Sequence, residues 1–318
     1  MIRVLIVPKF EVGEMSGDAL GEAQLFYENY CAGCDQIEVP HMPSTARFFY
    51  NEENGVAILI TGAGKNAASL SLTALFSSGL YDCSDTYIVS VGCGGGNMDA
   101  YTLGDVIINT AVCDYDLGYH ADSSEFAPGR DSVTWFYDKS YGRNAYSQYS
   151  PKLCEAVYQL TKGCELSTTQ KALDTLRAHF PDCPRGAENP AVLKGTAITS
   201  DSFWKGEHGH QNALHIVEFY GCPDPYATTE MEEISIALAA ESYGMLDRLV
   251  SLRVIVNADQ FFGDDTPESV WGDPASDSYS VKVEEDNDET LDIFEPGMNN
   301  LYAVASTVID AILAGEIG

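Results

Sequence analysis

Three carboxylates crowd into four positions at Glu230, Glu232 and Glu233, within ATTEMEEISIALAAES (227–242), and the chain then turns apolar. Thr229 followed three residues later by Glu232 has capping-box spacing, and negative charge favours a helix N-terminus. The other use of such a carboxylate is to hold a ligand. Further polar residues gather where apolar runs end. Glu22 follows RVLIVPKF, and Lys65 and Asn66 close TGAGKN. Cys93 to Asn97 form the end of GCGGGN; Asp201, Phe203 and Trp204 lie in TSDSFW, and Asn257 and Asp259 in NADQF. Ligands of open α/β sheets bind beyond the carboxyl ends of the strands, so these residues form one candidate set.

Neither glycine-rich segment has phosphate-loop spacing. TGAGKN lacks the four residues that precede Gly-Lys in a Walker loop, and GCGGGN lacks GxGxxG followed by a helix. Both read as tight turns that let backbone come close to a flat ligand. CAGC at 31–34 and the His208/His210 pair have redox or metal spacing without the further ligands of a closed site. The nine cysteines read as reduced thiols, and WKGEHGHQ, with His215 beyond it, as a polar loop.

The elements that must position this set alternate. RVLIVPKF reads as a strand, GEAQLFYENY as a helix, and 56–79 as strand, turn and helix. TYIVSVGCGGGN is a buried strand running into its glycines, and 103–119 is extended. Such alternation indicates an α/β domain with a largely parallel core. Residues 122–150 read as a long aromatic loop over a site, and 151–182 as a helical insertion of two helices. The stretch 267–290 reads as an acidic loop and the last 21 residues as an amphipathic helix. Nothing marks a linker, so 1–318 is taken as one domain.

A net charge of −31, from 17 Lys and Arg against 48 Asp and Glu, argues against nucleic-acid and anionic-membrane partners. No run nears the roughly 18 apolar residues of a membrane span, and MIRVLIVPKF is too short for a signal peptide. The expectation is a cytoplasmic protein without membrane insertion.

In order and spacing, GEAQLFYE, TGAGKNAASLSLTAL, VGCGGGN, TLGDVIINTAVCDYDLGY, TSDSFW, TTEMEEISIALAA and LRVIVNADQ resemble the purine nucleoside permease (NUP) family. Behind it stands the nucleoside phosphorylase/nucleosidase superfamily. The resemblance implies a three-layer α/β/α fold with a central mixed, partly barrel-like sheet. It implies a purine nucleoside ligand, cleavage of the N-glycosidic bond, no cofactor, and assembly with copies of itself. Carried over by residue, Glu232 grips the ribose 2′- and 3′-hydroxyls and Met231 lines the sugar. Phe203 stacks on the base, with Cys93, Gly94 and Gly95 beside it. Asn257 falls where the leaving purine is assisted; an Asn there favours 6-oxo purines.

In the nucleosidase branch a Glu in the first loop orients water, here Glu22, with Gln24 the competing register. Phosphorylases carry arginines in that loop and just before the glycine-rich segment; this chain has none in the loop, and Ser90 at the second place. Lys9, Lys65, Arg47 and Arg130 are the remaining partners for inorganic phosphate as a co-substrate. The readings are therefore a pentosyltransferase of the purine nucleoside phosphorylase type, a nucleoside hydrolase, a non-catalytic binder linked to nucleoside transport, or a pseudo-enzyme.

Overall fold

The computed structural model describes residues 1–127, 133–136, 139–186, 188–271 and 291–317. Its elements in chain order begin with β1 (Val4–Val7), α1 (Gln24–Tyr30), β2 (Arg47–Asn51), β3 (Val56–Ile60), α2 (Lys65–Ser77), β4 (Tyr87–Gly96) and β5 (Val106–Asp114). There follow β6 (Tyr119–His120), β7 (Trp135–Phe136), β8 (Tyr146–Gln148), α3 (Pro151–Thr161), α4 (Gln170–His179), β9 (Val192–Thr199) and α5 (Glu207–Tyr220). The chain ends with β10 (Tyr226–Glu230), α6 (Glu233–Ser242), β11 (Leu249–Ala258), α7 (Pro267–Trp271) and α8 (Phe294–Ala314).

The β-branched runs build the sheet because their side chains pack on a pleated, buried surface. All four residues of β1 are buried, and it lies in parallel between β3 and β4. From β4 the sheet curls. β4 pairs with β11 in parallel, β11 with β5 antiparallel, and β5 with β9 in parallel. β9 pairs with β10 in parallel, and β10 returns to β4 antiparallel. Five strands thus close into a mixed barrel, and β1, β3 and β2 extend from it as an open wing. This is the mixed, barrel-like α/β architecture expected above.

The glycines of β4 make the closure. The stretch read above as a tight turn is strand up to Gly96. Thr229 of β10 and Asn257 of β11 both pair with Gly95. A Cβ on Gly94 would lie 2.2 Å from the Thr229 carbonyl oxygen, and one on Gly95 would lie 2.0 Å from Asp259 Oδ1. Side chains are excluded here by close approach on both flanks.

Helices cover the sheet. α6 is buried over most of its surface, Ile234, Ile236, Ala237, Ala239 and Ala240 among its buried residues, and packs on α2 and the barrel strands. The C-terminal α8 buries Leu301, Val304, Val308 and Ile312 on one stripe, against β11 and β4. The polar loop expected around WKGEHGHQ is instead the first turn of α5. His210 is buried there, its Nε2 3.1 Å from Asp99 Oδ2 and its ring 5.7 Å from that of Tyr226. The 122–150 stretch holds β7 and β8, and β8 joins β5. Pairing with the barrel edge satisfies backbone that a bare loop would leave to water. The start of the 267–290 stretch forms α7; residues 272–290 lie outside the described residues.

Gly94→Ala should destabilise the fold by about 1–3 kcal/mol, because the Cβ meets backbone that cannot give way. The same change at Gly163, which has open space around it and no positive φ, serves as a control for chain stiffness alone. Urea denaturation of both variants measures the difference.

Candidate functional site

The three glutamates that open α6 have three separate tasks. Glu230 is the helix cap. Its Oε2 accepts from the Glu232 and Glu233 amides at 2.7 and 2.6 Å, and its Oε1 accepts from the Thr199 hydroxyl. Thr199 Oγ1 in turn accepts from Ile234 N at 3.0 Å. The capping-box spacing of Thr229 and Glu232 is not used, because the Thr229 hydroxyl donates to Asp259 Oδ1 at 2.6 Å and Glu232 makes no cap bond. The first orphan amides of α6 are satisfied from β9 and β10 instead.

Glu233 is the counter-ion of a buried arginine. Arg253 lies inside the apolar run of β11 with 0% exposure. Its Nη2 is 2.7 Å from Glu233 Oε2 and 3.5 Å from Glu230 Oε2. Ser90 Oγ and Tyr149 OH also donate to Glu233, at 2.7 and 3.0 Å. Burial works to raise the Glu233 pKa, yet Arg253, Lys9 and the Ser90 hydroxyl together hold it below its ordinary value. Burial likewise works against the Arg253 charge, and Glu233 and Glu230 more than offset it.

Glu232 is left for other work. It is buried, and its Oε1 accepts from the Gly64 amide at 2.7 Å. Burial, then the charge of Glu230, raises its pKa to about 7, with Lys9 and the Gly64 amide pulling the other way. Lys9 reaches into the same cluster. Its ammonium donates to Val7 O, Ser90 Oγ and Val91 O at 3.0, 2.8 and 2.9 Å. Burial, then the Arg253 charge, lowers its pKa to about 8.

Glu22 faces this cluster from the first loop. Its two oxygens accept from the Lys9 and Cys93 amides at 2.7 and 2.8 Å, and a Cβ on Gly92 would lie 2.7 Å from Oε1. Gln24, the competing register, turns to α1 and donates to Glu28. The Cys93 thiol is pushed up by burial and by Glu22. The Asn257 amide lies beside Gly95: a Cβ there would be 2.9 Å from its Nδ2. Met231 is half-buried between Glu230 and Glu232.

Phe203 stands apart from this buried set. Its ring is 59% exposed and meets Trp271 edge-on at 6.1 Å. Trp204, not Phe203, stacks on an inner aromatic, Tyr115, at 5.2 Å. Arg47 lies on β2 at the wing's edge, and Arg130 lies outside the described residues. Sequence reasoning missed Arg253. The signal was available: a cation inside LVSLRVIVNA must be buried with the sheet, and a buried cation needs a buried carboxylate.

Comparison with solved structures gives the class of fold. The chain resembles the 5′-methylthioadenosine/S-adenosylhomocysteine nucleosidase of Neisseria meningitidis, with a TM-score of 0.58 at 15% identity, over 98% of this chain and 100% of that one. It also resembles the futalosine hydrolase of Helicobacter pylori strain 26695, with a TM-score of 0.56 at 12% identity, over 97% and 98% of the two chains. The fold is the one these two solved structures share. The purine nucleoside permease (NUP) family model matches residues 1–316, and the chain belongs to that family. A probable purine nucleoside permease of Schizosaccharomyces pombe is 23% identical over a 222-residue alignment that covers 65% of this chain. The match spans 63% of that relative's length. Among the described residues, no helix is long and apolar enough to cross a membrane.

Glu232 has a folded pKa of about 7 against an ordinary 4.5, so the folded chain holds this proton more tightly than the unfolded one. Stability therefore falls as pH rises from about 4.5 through 7. Glu232→Gln should remove that slope and stabilise the unliganded protein at pH 8, by on the order of 1–3 kcal/mol. Glu233→Gln should destabilise it by about 3–5 kcal/mol by leaving Arg253 buried and uncompensated. Urea unfolding at pH 5 and pH 8 measures both.

Proposed function

We propose that the chain binds a purine nucleoside and cleaves its N-glycosidic bond with water, which Glu22 orients. The observation that carries this reading is the commitment of the site's cations to acceptors within the protein. Lys9 directs its ammonium at three acceptors, which uses all the donors an ammonium has. Arg253 turns its terminal nitrogens to Glu233, Ser90 and Leu252, and Lys65 turns to Asp114 and Asp116. Arg253 Nε is the donor of this set without an acceptor among the described residues. A phosphate dianion would meet the carboxylates of Glu22, Glu230, Glu232 and Glu233 across a low-dielectric site, where like charges repel strongly. Water meets no such barrier. Each Glu22 oxygen accepts one backbone N–H and keeps capacity for a water proton.

In this reading Glu232 clasps the ribose 2′- and 3′-hydroxyls through short charge-assisted bonds. Met231 lines the sugar, and Cys93, Gly94 and Gly95 offer backbone beside the base. Phe203 covers the base from the solvent side. Asn257 donates to purine N7 as negative charge develops there, and its amide is uncommitted for that task among the described residues. About 7 Å of β4 separates Cys93, which holds Glu22, from Gly95, beside Asn257. That interval suits a water-attacked sugar carbon at one end and the leaving base at the other. An amide cannot pass on a proton, which favours 6-oxo purines. Assembly with copies of itself and a cytoplasmic location belong to the same proposal.

A second reading, nucleoside binding without turnover in the service of transport, is favoured by the family's description and by the name of the yeast relative. The test is incubation with inosine, guanosine and adenosine, with and without phosphate. The expected result is base release from inosine and guanosine at a rate that phosphate does not change. Glu22→Gln should lower the rate roughly 10²–10⁴-fold, and Glu232→Gln should weaken inosine much more than hypoxanthine. Phosphate-dependent release would overturn the hydrolytic reading, and binding without release would support the second.

A further inference from the structure

A separate cluster of charge borders the site. Lys65, the first residue of α2, places its ammonium 3.0 Å from Asp114 Oδ1, 2.8 Å from Asp116 Oδ2 and 3.7 Å from Asp201 Oδ2. These aspartates come from the end of β5 and from the segment after β9. They are tied to each other as well. The Asp201 amide donates to Asp116 Oδ2 at 2.7 Å, and the Ser200 hydroxyl to Asp116 Oδ1 at 2.8 Å. The Lys65 backbone amide donates back to Asp201 Oδ1 at 2.9 Å. Two strand ends and the start of α2 are thus closed into one ring around a single cation.

Gly64 is caught in that ring. Its φ of +91° is a conformation that glycine adopts without strain. A Cβ here would sit 3.3 Å from Asp201 Oδ1. In this conformation its N–H points at Glu232 Oε1. The N-terminus of α2 therefore presents two adjacent amides to two carboxylates, Gly64 to Glu232 and Lys65 to Asp201.

We propose that Lys65 is a positioning residue: by gathering Asp114, Asp116 and Asp201 it fixes the Gly64 amide on Glu232 and so holds that carboxylate in place for a ligand. The proposal rests on the reading of Glu232 as the ligand-gripping group, but the ring itself can be tested without a ligand. The groups that face Glu232 are Glu230 and Glu22, which disfavour its charge, Lys9 and Arg253, which favour it, and the Cys93 thiol. The Gly64 amide is the hydrogen-bond donor to it, and it comes from an element the ring controls.

Lys65→Met, Lys65→Arg and Asp201→Ala are compared with the wild type. The readouts are amide exchange at Gly64 by NMR, the titration midpoint of the Glu232 carboxyl carbon, and inosine affinity across pH. In Lys65→Met, Gly64 exchange should rise at least about tenfold while protection in β4 and β11 stays unchanged. The Glu232 midpoint should move up by about one unit. Inosine binding should weaken at neutral pH and recover at higher pH, and Lys65→Arg should restore all three. Asp201 is half-exposed, so its removal leaves the core intact. Asp201→Ala also separates positioning from bare charge: loss of a nearby anion would by Coulomb's law lower the midpoint, whereas release of Gly64 raises it. A lowered or unchanged midpoint in Asp201→Ala, or wild-type exchange at Gly64 in both Lys65→Met and Asp201→Ala, would overturn the proposal. If the wild type binds no nucleoside, the function above fails, while exchange and titration still decide the role of Lys65.

Discussion

Arg253 is the constraint around which the rest is arranged. A guanidinium inside a buried strand is strongly unfavourable unless a carboxylate reaches it with good geometry and its other donors find acceptors. Glu233 supplies that carboxylate at 2.7 Å, and it can do so because α6 begins directly over β11 and β4. Glu233 then has no freedom to cap its own helix, so Glu230 and Thr199 do that work from β10 and β9. Between these two occupied residues, Glu232 alone is turned away from both capping and ion pairing. An available carboxylate is what remains when its two neighbours are fully engaged.

The same arrangement sets the electrostatics. Four buried carboxylates, from Glu22, Glu230, Glu232 and Glu233, share two buried cations, Lys9 and Arg253. The imbalance falls on Glu230 and Glu232: burial raises the pKa of both, that of Glu232 to about 7. It falls far less on Glu233, whose oxygens accept from Arg253, Ser90 and Tyr149. Four carboxylates against two cations leave the site unfavourable to a further anion. The strongly acidic chain, at −31, reinforces that preference at longer range.

Barrel closure makes the arrangement compact enough to matter. Because Gly94 and Gly95 let β10 and β11 press against β4, Glu22, Asn257 and the start of α6 meet along a few residues of one strand. Any bulkier residue would hold the strands apart and separate these groups. The fold is shared with nucleosidases at 12–15% identity, a level at which backbone path persists while site chemistry is free to change.

Apolar runs ending in polar residues were enough to locate most strands and helices, to reveal the α/β class, and to gather Glu22, Glu232, Cys93 and Asn257 as one set, because period and punctuation are local properties. The sequence did not disclose that GCGGGN continues as strand, since glycine permits a turn and a close approach equally. Nor did it separate the tasks of Glu230, Glu232 and Glu233. Adjacent glutamates are chemically identical, and what distinguishes them is which partner each meets: the α6 amides, Arg253 from β11, or Gly64 from the turn before α2. Those partners lie 2 and 3 residues away along the chain for Glu230, 20 for Glu233 and 168 for Glu232. Identity of the charged groups was thus local information, but their assignment was a matter of three-dimensional neighbours, decided only when the barrel closed and burial made each unpaired charge costly.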